Sequence, residues 1–165
     1  MTLRTDHAPA KWVAAGAAMG IAGGLAEVLV VGAYTGIAGI DPAGVAGAIA
    51  TAVRVAPGSA GAGLAVHMAL SAALGVALLA AAKACGLLRD GSASRAYAMG
   101  LLALAAIWGL NFFIVLPIVS PDFVHLLPFA VTLGSKLMFA VAAVATLRSM
   151  PVGAASRRVL AGATA

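Results

Sequence analysis

Four long apolar runs dominate this chain, at roughly 12–34, 61–84, 96–119 and 128–147. About 20 mostly apolar residues are enough for a helix to cross the hydrocarbon core of a bilayer, and each run reaches that length. A soluble domain of 165 residues has nowhere to hide them, because most residues of a small domain touch water. Composition agrees: 63% of residues are hydrophobic and only 9% are charged, with a mean hydropathy of +1.09. The bilayer is the solvent that suits such a chain. The expected fold is all-α, an up-and-down bundle of four transmembrane helices forming one integral membrane domain over 1–165.

The gaps carry the chain breakers. Thr35 to Ala60 contains Asp41-Pro42 and Pro57-Gly58, Leu87 to Arg95 contains Asp90-Gly91-Ser92, and Pro117 to Leu127 contains Ser120-Pro121-Asp122. Asp41-Pro42 and Ser120-Pro121 read as one device. An oxygen-bearing N-cap accepts from orphan N–H groups, and proline loses nothing at the first helical position. The first pair predicts a short interfacial or re-entrant helix over 42–55. The second predicts a helical turn running from Pro121 into the fourth span, which Pro128 either kinks or restarts.

Arg4 and Lys11 ahead of an apolar stretch imitate a secretory signal. The stretch has the length of a span, however, and it contains Glu27, so it reads as a retained first span. With the N-terminus inside, the inner side carries Arg4, Lys11, Lys83, Arg89, Arg95, Arg148, Arg157 and Arg158, while the outer side carries only Arg54. That asymmetry places both ends in the cytoplasm. The tail over 150–165 is short and basic, expected to be loose or to rest on anionic headgroups. The formal charge of +5 does not point to nucleic acid, because the basic residues stand singly between apolar runs. The single cysteine, Cys85, allows no internal disulfide and no CxxC site.

Gly16, Gly20 and Gly24 recur every four residues on one face of the first span, and Gly63, Ser71 and Gly75 form a similar stripe on the second. Small residues at this spacing let backbones approach closely in lipid. The stripe serves packing within one chain or between copies, and spacing does not separate the two.

Glu27, His67, Asn111 and Lys136 are the informative polar residues at membrane depth. At about 1.5 Å rise per residue, Glu27 falls roughly 10 Å below the outer end, His67 roughly 9 Å, and Asn111 and Lys136 roughly 12 Å. One group from each span thus shares a layer. Glu27 follows Gly24 by three and Gly20 by seven, on the same face. The expectation is a Glu27–Lys136 ion pair, which offsets the desolvation of either charge, with hydrogen bonds from His67 and Asn111. Such a layer fixes helix register, or relays protons, or lines a pocket for a small solute. His67 and His125 are the one pair of imidazoles that suggests a haem, but they differ in depth by about two turns, which argues against a shared iron. No metal site and no cofactor are expected. No nucleophile–base motif, phosphate loop or HExxH spacing occurs, so an enzyme is not expected. Trp108, Phe112, Phe113, Phe123 and Phe129 read as packing and interfacial anchors.

The run Gly20-Ile21-Ala22-Gly23-Gly24 with Glu27, the run His67-Met68-Ala69-Leu70-Ser71, and a third span ending at Pro117 resemble the YagU-type four-helix bacterial inner-membrane proteins. Lys136 and the short tail depart from that pattern. The resemblance implies fold and location in the bacterial inner membrane more than an activity, since that group is largely of unknown molecular function. Small loops with little room for a soluble active site, and Gly/Ala faces that suit helix association, make the leading expectation a non-enzymatic accessory or assembly component, with the lipid bilayer and a membrane-protein partner or further copies of itself as its contacts. The runner-up is a proton-coupled or small-solute transporter or channel-like protein using Glu27, His67 and Lys136. The third is a haem- or metal-binding redox protein.

Overall fold

A computed structural model describes residues 8–87 and 91–150. All regular elements among them are helical: α1 (Ala8–Ala38), α2 (Pro42–Ala52), α3 (Ala60–Ala84), α4 (Ala93–Leu110), a π-helical turn (Asn111–Val115), α5 (Leu116–Val119), α6 (Pro121–Val124) and α7 (Phe129–Ser149). Four helical stretches are long and apolar enough to cross a membrane: α1, α3, the continuous run from α4 through α5, and α7. Their outer surfaces suit lipid rather than water, with Leu29, Ile37, Leu102 and Ile118 exposed. The basic tail expected over 150–165 lies outside the described residues from 151 onward.

The loop helices agree with expectation at one end and depart from it at the other. Asp41 caps α2 through both carboxylate oxygens, accepting from Ala43 N and Gly44 N at 2.9 Å each. The helix stops at Ala52, short of Val55, because Arg54 turns left-handed at φ 59. The turn is a Schellman closure, in which Arg54 N donates to Thr51 O and Val55 N to Ala50 O. Glycine takes the corresponding position after α1 and α3, at Gly39 and Gly86, where the positive φ costs nothing. Ser120 does not repeat the Asp41 device. Its side chain caps nothing, and α6 ends after four residues. The helical turn does not run into the fourth span. Pro128 instead starts α7, and its carbonyl accepts from Val131 N and Thr132 N.

Near its far end the third long helical stretch widens into a π turn, in which Leu116 N donates to Asn111 O. Pro117 explains the widening. It lacks an N–H, and its ring would strike the carbonyl of Phe113 in a regular α-helix.

Helix α1 is the centre of the packing, with α3 on one side and α7 on the other; α4 packs on α7, and α2 lies on α3. The glycine stripes make the first contact. A methyl group on Gly20 or Gly75 would overlap the backbone of the facing helix, at Ser71 O and at Gly16 O respectively. At Gly16 a methyl would sit 2.6 Å from Val76 Cα. The stripes therefore serve contact within this chain. Gly63 is the exception, since it faces Ala46 of α2 rather than α1. On the other side of α1, Gly23 lies against the fully buried Phe139 ring of α7.

Between α3 and α4 the bundle does not close as tightly. A half-open groove of about 160 Å³ separates them, walled by Leu78, Leu79, Met99, Ala103 and Leu104 and floored by Met19, Ala143 and Leu147. It lies at the end of the bundle where α1 and α4 begin and α3 and α7 finish, with Arg95 at its edge.

Candidate functional site

Three of the four residues expected to form the polar layer come together. Glu27 on α1 is 5% exposed. The Lys136 ammonium on α7 straddles its carboxylate, with Nζ 2.7 Å from Oε1 and 3.0 Å from Oε2. Both distances are those of charge-assisted hydrogen bonds. In a setting this dry the Coulomb attraction is strong, and so is the desolvation it must offset. Phe139, one turn below Lys136, presents its ring 5.6 Å from Nζ and adds a weak cation–π contact.

His67 on α3 approaches the same carboxylate without bonding to it. Its Nε2 lies 4.0 Å from Glu27 Oε2 and 3.2 Å from Gly24 O. A carbonyl only accepts, so Nε2 carries the hydrogen in the second contact. Gly24 makes this approach possible. A methyl there would sit 2.6 Å from Ser71 Oγ and push α3 away. The glycine stripe thus brings His67 within reach of α1. About one fifth of the His67 and Lys136 side chains is exposed, so the carboxylate is the deepest of the three groups.

Asn111 does not join them. It opens the π turn, is half-buried, and makes no side-chain hydrogen bond among the described residues. A different polar link holds α4 to α7. Trp108 Nε1 donates to Thr132 Oγ1 at 3.0 Å, and that hydroxyl donates to Phe129 O at 3.1 Å. Trp108, Phe112, Phe113 and Phe129 pack ring against ring around it, with centroids 5.5–6.0 Å apart. Thr132 shares the face of Lys136, and that spacing was the available signal for this link.

His125 is exposed at the end of α6 and makes no contact with the Glu27 cluster. Among the described residues no group of three or more His, Cys, Asp or Glu side chains is placed to hold a metal ion. Cys85 is exposed at the end of α3.

Chemically, the cluster is one anion neutralised by one cation, with a neutral or chargeable imidazole beside it. Every buried side-chain nitrogen and oxygen among the described residues has a hydrogen-bond partner. Among the described residues of the four long helices, Glu27 is the one carboxylate available to Lys136. No family model, curated protein or solved structure matches the chain.

Proposed function

We propose that the protein is a non-enzymatic accessory or assembly component of the bacterial inner membrane, crossing it four times with both ends in the cytoplasm. One observation carries this reading: the intramembrane charges satisfy each other across α1 and α7, at 2.7 and 3.0 Å. A closed pair holds helices in register and leaves no uncompensated charge to recruit a solute. The distribution of basic residues supports the orientation, because Lys11, Lys83, Arg95 and Arg148 mark one end of the bundle against Arg54 at the other. Loops this short also leave little room for a separate soluble active site.

A second reading rests on His67. An imidazole 4.0 Å from a buried carboxylate, itself one-fifth exposed, is the arrangement that a proton-linked transporter uses. Purified protein in liposomes separates the two. The accessory reading predicts that an imposed pH gradient decays no faster than in empty vesicles. It also predicts that the chain leaves mild detergent with one membrane partner at fixed stoichiometry. Gradient decay that Glu27→Gln abolishes would establish the transport reading instead.

A further inference from the structure

We propose that the groove between α3 and α4 binds an anionic phospholipid, with an acyl chain lying in the groove and the phosphate held at Arg95. The proposal rests on the four long helices spanning a bilayer, and it is independent of the Glu27–Lys136 pair. Shape supplies the first argument. The groove is apolar along its walls, and it follows α4 from Arg95 to Leu104. At about 1.5 Å per residue that is roughly 13 Å, parallel to the direction in which lipid tails run. Its volume of about 160 Å³ holds a segment of a single unbranched chain. A partner helix about 10 Å across would need far more room.

Charge complementarity supplies the second argument. Arg95 lines the groove itself. Lys83 stands in the last turn of α3, where its ammonium lies 4.7 Å from the Trp12 ring, and Arg148 stands in the last turn of α7, donating to Gly91 O. The described carboxylates are elsewhere: Glu27 is paired with Lys136, and Asp41 and Asp122 belong to the opposite end. The connection between α3 and α4 also contains Arg89 and Asp90, which offset each other in charge and lie outside the described residues. Arg95 already has a partner. A guanidinium carries five N–H donors in a planar fork, however, and a phosphate shares such a fork with an existing partner. Basic pockets between membrane helices recognise anionic headgroups in this way.

The test titrates phosphatidylglycerol and phosphatidylcholine of identical chains into delipidated, detergent-solubilised protein, with bound lipid counted by native mass spectrometry. Soluble glycerol phosphate serves as the free-headgroup control. The expected result is a preference for phosphatidylglycerol and no binding of glycerol phosphate. Arg95→Gln should weaken that preference about fivefold, the worth of one cation near an anionic surface. Ala103→Phe, which fills the groove, should remove the bound lipid of both kinds, and Ala82→Leu provides a second filled variant should the first fail to fold. Equal binding of the two lipids would overturn the proposal, as would a preference that survives both Arg95→Gln and a folded, filled variant. Binding of glycerol phosphate with the same dependence on Arg95 would also overturn it, by assigning the site to a free phosphate. A dimer that the filled variants dissociate, with lipid binding unchanged, would assign the groove to a second copy.

Discussion

Helix α3 faces α1 and α4 in opposite ways. Against α1 its Ser71–Gly75 stripe lets backbones touch, and no methyl fits between them. Against α4 it presents Leu78 and Leu79, and a groove remains. The apolar surface is ample on both sides, so hydrophobicity does not decide where the helices close. Lipid tails are as apolar as leucine, and association in a bilayer comes from close backbone approach and from polar pairs. The rest of the molecule obeys the same rule. Gly23 of α1 receives Phe139 of α7, and the Glu27–Lys136 pair bridges the same two helices. On α4, Gly100 faces α7, where a methyl would meet Val144 Cγ2 at 3.0 Å. Helix α4 closes on α7 through Gly100 and the Trp108 hydrogen bond to Thr132.

Substitutions on the two sides should therefore differ in cost. The largest loss is expected at the ion pair. Glu27→Gln leaves Lys136 uncompensated with about four fifths of its side chain out of solvent, and unfolding in a detergent titration should show a loss of about 3 kcal/mol. Next comes the glycine contact. Gly20→Val forces α1 away from the Ser71 carbonyl, and the same titration should show a loss of about 1–3 kcal/mol. Trp108→Phe keeps the ring packing but removes the bond to Thr132, with an expected loss of about 1 kcal/mol. The smallest effect belongs to the groove. Ala103→Leu adds bulk where space exists and should change stability by less than about 0.5 kcal/mol. Equal losses for Gly20→Val and Ala103→Leu would erase the distinction between the two sides.

Much of this was legible in the sequence, because the relevant signals are local. The long helices follow from length and hydropathy, and they run only a few residues beyond the apolar runs. Depth along the helices also brought Glu27 and Lys136 to one level. Depth says nothing about which helices are neighbours, and Asn111 shows the consequence. Glu27, His67 and Lys136 lie on α1, α3 and α7, and α1 contacts both of the others. Asn111 opens the π turn that continues α4, one helix removed, so a shared depth does not bring it to the carboxylate. The π turn was hidden for another reason. It is the response of a long helix to Pro117, and an apolar run looks the same with or without it. Ser120 was misread because its residue pair matches Asp41-Pro42, while its backbone, at φ −156 and ψ 77, does not aim the hydroxyl at the N–H groups that follow. The groove is a property of four helices together and leaves no mark on any one of them.

The central claim is that Glu27 and Lys136 act as one unit holding α1 to α7. A double-mutant cycle measures that directly, with Glu27→Gln, Lys136→Met and the double variant unfolded under identical conditions. The predicted result is that each single change is costly, and that the double change recovers much of the loss, giving a coupling of at least about 2 kcal/mol. Losses that simply add, within about 0.5 kcal/mol, would show that the two charges do not depend on each other and would contradict the account.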